Sequence, residues 1–218
     1  MFVVALSALQ LSYSQELATK PTQKTGPISF SDSARVDSLP RVVTRRLLPP
    51  NMSFAERGLW GEDGLTRRWG LVAALTPEER QNELKIRRTM LSAHQIGGFV
   101  TLGFMAAACY FGQRSIDDRS NRNLLGSHQT FETATIISYS ATGLLSVLSP
   151  PPMIRRDEIS TTTIHKTLAW IHFTGMVVTP ILGSMIGRNS DSERAHIHQI
   201  SGYITTAVFA ASMIVITL

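Results

Sequence analysis

The sequence predicts an all-α integral membrane protein, an up-down four-helix bundle preceded by an extended, mostly irregular N-terminal tail. Residues 89–218 hold four long apolar runs separated by short polar loops. Each run is near the ~20 residues that a helix needs to cross the hydrocarbon of a bilayer, and short loops favour antiparallel neighbours. Residues 16–58 are rich in proline and poor in hydrophobic periodicity, so this stretch should not fold on its own.

The N-terminal residues 1–14 are expected to be a signal peptide or an anchor. An apolar run from Met1 to Leu11 is followed by the small residues Ser12 and Ser14, which suit cleavage after position 14. The tail over residues 15–76 is expected to be extended or disordered, or to order by wrapping a partner subunit.

A juxtamembrane helix is predicted over residues 77–88. Thr76 suits the N-cap position, Pro77 suits the first helical position, and acidic residues occupy the first turn. This helix should continue into the first membrane span.

Within the membrane domain, 89–218, the four spans are expected at the positions given at the end of this paragraph. The run Pro150-Pro151-Pro152 should end the second span, and Pro180 should kink the third. Basic residues flank both sides almost equally, so the predicted signal peptide decides the orientation. It places the tail and the C-terminus on the periplasmic side of a bacterial inner membrane. The spans are about 89–112, 127–149, 163–187 and 195–218.

All six histidines lie in or at the edges of these spans, and an imidazole inside a membrane usually has a function. Because neighbouring spans run in opposite directions, His94 and His165 should lie toward one side and His128 and His198 toward the other. His172 should lie nearer the middle. Spans one and three are diagonal neighbours in a simple bundle, as are spans two and four. The sequence therefore predicts one histidine pair across each diagonal, at two depths.

Paired axial nitrogens and an apolar slot are what haem b requires of a protein. We expect two haem b groups, or one if only one diagonal is filled. His94 could pair with His165, which matches it in depth, or with His172, which has Gly175 nearby. His196 and His198 point to opposite faces, and Gly202 favours His198. The predicted iron ligands are His94, His165, His172, His128 and His198.

Other residues are candidates for cofactor binding. Gly98, Gly175 and Gly202 each follow a histidine by three or four residues and would leave room for a porphyrin edge. These glycines could equally be packing contacts between membrane helices. Glu132 could accept a hydrogen bond from His128 or take part in proton movement.

The basic pair Arg155 and Arg156 follows the second span. It could bind haem propionates, or it could simply solvate the loop that carries it.

Several function classes are excluded by composition. The single cysteine, Cys109, excludes a disulfide framework and a thiolate metal site. The chain contains no glycine-rich phosphate loop and only 7% aromatic residues, so no nucleotide or nucleic-acid partner is expected. The net charge of +5 is explained by basic residues at lipid headgroups.

Three sequence segments of this membrane domain resemble the cytochrome b561 group of transmembrane di-haem proteins. The resemblance covers about residues 89–218. It implies a four-helix core with histidine pairs that bridge the first and third and the second and fourth core helices around haem b. The segments are His94-Gln-Ile-Gly-Gly98 with Tyr110 and Arg114, His165 to Gly175 with Trp170 and His172, and His198-Gln-Ile-Ser-Gly202 with Phe209.

The expected function is transmembrane electron transfer by an electron-transfer protein or an oxidoreductase subunit, rather than by a stand-alone catalyst. Such a chain would work in the lipid bilayer, with other membrane or periplasmic redox subunits as partners. The alternative is a non-redox membrane scaffold or assembly subunit whose histidines are interhelical contacts. A third, weaker hypothesis is a proton or metal transporter that uses His128, Glu132 and His198.

Overall fold

The computed structural model describes residues 46–154, 160–186 and 192–217, and this part of the chain is all-helical, with no strand. The all-α class is therefore confirmed. The predicted signal peptide, and the tail up to residue 45, lie outside the described residues. The helices are α1 (Phe54–Trp60), α2 (Leu65–Arg68), α3 (Pro77–Asp117), α4 (Arg122–Val147), α5 (Thr161–Ser184) and α6 (Ser192–Thr217).

Three of the helices in the described ranges, α3, α5 and α6, are long and apolar enough to cross a membrane. They suit a lipid bilayer environment. The fourth long helix, α4, has 26 residues, which is sufficient length. It is less apolar because serine and threonine recur along it. Four spans are predicted from sequence, and helix length and composition support three of them.

The start of α3 is built as predicted. The Thr76 hydroxyl accepts a hydrogen bond from the backbone N–H of Glu79 at 3.2 Å, and Pro77 occupies the first turn. The helix then continues without a break for 41 residues, or about 60 Å. The predicted juxtamembrane helix and the first predicted span are therefore one continuous helix.

The four long helices form two antiparallel hairpins. In the first hairpin, α3 packs along α4, with Gly97 against Thr142. In the second, α5 packs along α6, with Gly175 against Thr205. A Cβ at either glycine would collide with the facing threonine, so glycine allows the two helices to approach closely.

Contacts between α3 and α6 join the two hairpins. These helices run antiparallel, because Gly98 lies against Met213 near one end while Cys109 lies 3.4 Å from the Thr206 hydroxyl further along. Apolar side chains fill the space between the hairpins. The cluster contains Met105, Phe209 and Met213, with Leu102, Tyr139 and Met176 packed against it.

Residues 46–76, which we call the cap, fold against the start of α3 and the residues that directly follow α4. The buried Trp60 donates from its indole Nε1 to the Leu148 carbonyl at 3.0 Å. Arg80 of α3 donates to the carbonyls of Leu47 at 2.9 Å and Pro151 at 2.6 Å. The cap is thus held by partners more than 30 residues distant in the chain, and it contains two short helices where the sequence predicts an irregular tail.

A buried ionic cluster lies beneath the cap. Glu83 is fully buried and Arg80 is 1% exposed, and their side chains bond at 2.7 Å. Arg67 of α2 donates to the same carboxylate. Because two guanidinium groups share one carboxylate, that carboxylate compensates positive charge from both the cap and α3.

Replacing Glu83 by glutamine should therefore loosen the cap. The change leaves two buried arginines without a counter-charge, and breaking a buried ion pair costs roughly 3–5 kcal/mol. We expect a lower Tm in detergent and faster proteolysis within residues 46–76. Glu62→Gln, at an exposed position of the same cap, is the control and should behave as wild type. Equal stability of the two variants would contradict this account.

Candidate functional site

Four of the six histidines form two ring pairs between the hairpins. His94 of α3 faces His165 of α5, with ring centroids 6.2 Å apart and ring planes at 88°. His128 of α4 faces His198 of α6, at 5.9 Å and 84°. The structure thus brings together the residues predicted for each diagonal. It places His165, and not His172, opposite His94.

Each of these four rings is held by a backbone carbonyl on the other helix of its own hairpin. A carbonyl oxygen can only accept, so Nδ1 carries the proton and Nε2 of the neutral ring keeps a free lone pair. The Nδ1 of His165 also lies 2.8 Å from the Ser212 hydroxyl, which can accept from the same N–H. Metal-binding histidines are commonly oriented in this way. The Nδ1–carbonyl distances are 2.8 Å for His94 to Thr142, 2.8 Å for His128 to Ala108, 3.1 Å for His165 to Ser212 and 2.9 Å for His198 to Thr179.

The two hairpins repeat the same arrangement. Positions 94, 108, 128 and 142 of the first correspond to positions 165, 179, 198 and 212 of the second, an offset of 70 or 71 residues. Met105 and Gly112 also recur, as Met176 and Gly183. Few other residues are shared, but comparing the sequence with itself at this offset would have indicated the repeat.

The contacts define two levels along the helices. The first histidine level contains His94, Thr142, His165 and Ser212, and the second contains Ala108, His128, Thr179 and His198. On each of the four long helices the two levels are 14 residues apart, which corresponds to about 21 Å of helix.

The spacing within each pair suits a metal held between two imidazoles. A metal about 2 Å from each ring nitrogen would separate the ring centres by roughly 6 Å. Within the described ranges, no group of three or more His, Cys, Asp and Glu side chains gathers as a metal cluster would require. Each pair therefore offers two nitrogens and no further protein ligand of these types.

Two glycines not predicted from sequence make room for the second-level rings. A Cβ on Gly112 would lie 3.0 Å from Nδ1 of His128, and a Cβ on Gly183 would lie 2.9 Å from Cε1 of His198. Side chains at these positions would push the rings away from their carbonyls. Both glycines follow a second-level carbonyl by four residues, and this spacing is visible only once the carbonyl partners are known.

The three glycines predicted from sequence have different surroundings. A Cβ on Gly98 would lie 2.7 Å from the Met213 sulfur, and a Cβ on Gly175 would collide with Thr205. Both therefore serve close helix packing. Gly202 has room for a Cβ, with the Thr179 methyl at 3.7 Å. A role of these glycines at a porphyrin edge stays a prediction.

The remaining candidates are less closely associated with the ring pairs. The Glu132 carboxylate lies 4.0 Å from Nε2 of His128, beyond hydrogen-bond distance, and the Ala108 carbonyl holds that ring instead. His196 is exposed. Arg155 and Arg156 lie outside the described residues.

His172 is buried between the two levels and belongs to neither pair. Its Nδ1 lies 3.0 Å from the hydroxyl of Tyr139 on α4.

In comparisons with protein-family models, curated proteins and solved structures, none matched this chain. The candidate site therefore rests on its geometry alone.

Nuclear magnetic resonance of ¹⁵N-histidine in haem-free protein tests the assigned tautomers. His94, His128, His165 and His198 should show a protonated Nδ1 and a bare Nε2, because their carbonyl partners can only accept. The exposed His196 is the internal reference and should show the tautomer mixture of an imidazole in water. A protonated Nε2 on the four paired rings would contradict the assignment.

Proposed function

We propose that this chain is a b-type cytochrome that transfers electrons across a membrane through two haem groups, one between His94 and His165 and one between His128 and His198. The observation that carries the proposal is the presence of two diagonal histidine pairs whose Nδ1 atoms are all bonded to carbonyls. This leaves four Nε2 lone pairs directed by the fold rather than by solvent.

Haem is favoured over a bare metal ion by the number of ligands. A structural zinc site takes four protein ligands and a catalytic site usually three, whereas each pair here supplies two. The porphyrin supplies four nitrogens of its own and needs only axial ligands from the protein. Bound haem would supply an iron that changes between ferric and ferrous and so carries one electron.

The proposal includes the up-down four-helix bundle, with α4 as the fourth span. The inner face of α4 accounts for part of its lower hydropathy, since Thr135 and Thr142 are both buried. The two levels are about 21 Å apart along each helix, within the ~30 Å of bilayer hydrocarbon. They would therefore lie toward opposite membrane surfaces, as an electron path across the bilayer requires.

The chain's own residues would hold the ligands and exclude water. The carbonyls of each hairpin orient the rings, and the packing of α3 on α6 sets the distance between the hairpins. Met105 and Phe209 are buried between the levels, and Met213 is buried beside the first level. Electrons would enter and leave through other membrane or periplasmic redox subunits, on the periplasmic and cytoplasmic sides of a bacterial inner membrane.

The competing function is a non-redox scaffold, and one observation favours it. The same Nδ1–carbonyl bonds would tie each hairpin together without any cofactor, as interhelical hydrogen bonds do in membrane proteins. The two proposals differ in whether Nε2 is used. Haem content separates them directly.

Protein purified from haem-replete cells should contain two haems per chain, with paired absorption bands that sharpen on reduction with dithionite. His94→Ala and His198→Ala should each remove about one haem, because each change takes one axial ligand from a different level. His196→Ala, at an exposed histidine two residues from His198, is the matched control and should keep both haems.

Three results would contradict the proposal. A colourless wild-type protein would favour the scaffold. If a single substitution removed both haems, or if it removed neither, the two levels would not be independent haem sites.

A further inference from the structure

A buried polar layer lies halfway between the two histidine levels. Each of the four long helices contributes the residue that follows its paired histidine by seven positions. This residue lies on the same face of the helix as the histidine and about 10 Å further along it. All four residues are buried. The members of this midway layer are Thr101, Thr135, His172 and Thr205.

Three members of the midway layer have all their hydrogen-bond partners within their own hairpins. The hydroxyls of Thr101, Thr135 and Thr205 each donate to the carbonyl four residues earlier, at 2.7 to 2.8 Å. Thr101 also bonds to Ser138 of α4 at 3.0 Å, and Thr205 lies 3.4 Å from the Thr179 hydroxyl of α5. His172 is the exception. Its Nδ1 is bonded to the Tyr139 hydroxyl across the gap between α4 and α5.

At this contact the two hairpins carry different residues at equivalent positions. With the offset of 70 or 71 residues between the hairpins, His172 of the second hairpin corresponds to Thr101 of the first, and Tyr139 of the first corresponds to Phe209 of the second. Each hairpin therefore has one polar aromatic residue that the other lacks at the equivalent position, and these two residues are in contact. The repeat is kept at the ring pairs and their carbonyls. It differs at Tyr139 and His172, whose hydrogen bond joins the two hairpins and which we call the bridge.

The bridge belongs to a group of three touching rings. The ring centroids are 5.6 Å apart for Tyr139 and His172, 4.9 Å for His172 and Phe209, and 6.0 Å for Tyr139 and Phe209. Tyr139 and Phe209 each lie three residues before the carbonyl of a first-level residue. The rings therefore extend from the midway layer toward the first histidine level.

We propose that the Tyr139–His172 pair positions the path by which electrons tunnel between the two levels, an inference that rests on the proposed function. A histidine at the middle of a membrane is costly and marks a functional position. Bonded and touching groups carry tunnelling better than gaps do. With haem bound at both levels, one electron would pass from the reduced haem to the oxidised one, and both side chains would keep their own electrons and protons.

The test measures electron transfer between the levels in two-haem protein after rapid reduction of one haem. Tyr139→Phe removes one hydroxyl and introduces the residue found at the equivalent position of the repeat, so packing should persist. The transfer rate should fall severalfold while haem content and midpoint potentials stay unchanged. Thr135→Val, in the same layer but bonded within its own helix, is the matched control and should transfer at the wild-type rate.

Two further variants separate the bridge from a structural contact. His172→Leu removes the hydrogen-bond partner of the Tyr139 hydroxyl and should slow transfer as Tyr139→Phe does. His172→Gln still offers an acceptor to the Tyr139 hydroxyl and should restore most of the rate. In haem-free protein, the ¹⁵N resonance of His172 Nδ1 should shift in Tyr139→Phe, which reports the hydrogen bond independently of electron transfer.

Suppose that Tyr139→Phe shifts the His172 Nδ1 resonance but transfers electrons between the levels at the wild-type rate. This result would overturn the role of the bridge in electron transfer and leave the proposed function intact. Equal slowing in Thr135→Val would also overturn it. Wild-type protein without haem would overturn the proposed function itself, and this inference with it. If His172→Leu fails to fold, the transfer rate of Tyr139→Phe alone decides whether the bridge acts in electron transfer.

Discussion

The hydrogen bond from a histidine Nδ1 to a backbone carbonyl of the neighbouring helix is the constraint on which the rest of the site depends. A carbonyl inside a helix has a second lone pair, so it can accept from a side chain while it stays in the helical ladder. Its position is therefore as rigid as the helix itself. Each ring is oriented within its own hairpin, through bonds such as those from His94 to Thr142 and from His198 to Thr179. The α3–α6 packing then needs only to bring two preformed hairpins to the correct separation.

Repetition of the hairpin explains why the two rings of each pair are held in the same way. His94 and His165 occupy equivalent positions of the two hairpins, as do His128 and His198. Packing one hairpin against the other therefore brings equivalent histidines together at each of the two levels. The interior between the two levels follows the repeat at Met105 and Met176 and at Thr135 and Thr205, but not where the two hairpins are hydrogen-bonded to each other. Tyr139 and His172 differ from their repeat equivalents, Phe209 and Thr101. Among the described residues of the midway layer, His172 is the one whose polar group is bonded to the other hairpin, because Thr101 and Thr205 bond to partners within their own hairpins.

The sequence predicted the helical class, the capped start of α3 at Thr76 and the proximity of the histidines in each pair, because hydropathy and alternating span direction determine depth. It could not predict the carbonyl partners, since a backbone carbonyl has no sequence signature. It also missed the folded part of the cap. The contact from Trp60 to the Leu148 carbonyl spans 88 positions, and local composition carries no information about it. The role of Gly112 has no sequence signature either, because it depends on the exact position of the His128 ring.

The central claim is that the two histidine pairs are axial ligands of two haems. Low-temperature electron paramagnetic resonance of the oxidised protein tests this most directly. The near-perpendicular ring planes, at 88° and 84°, predict two low-spin ferric signals of the strongly anisotropic type that crossed imidazole ligands give. A spectrum without a ferric haem signal, or with only the high-spin signal of a haem that has a single axial ligand, would contradict the account.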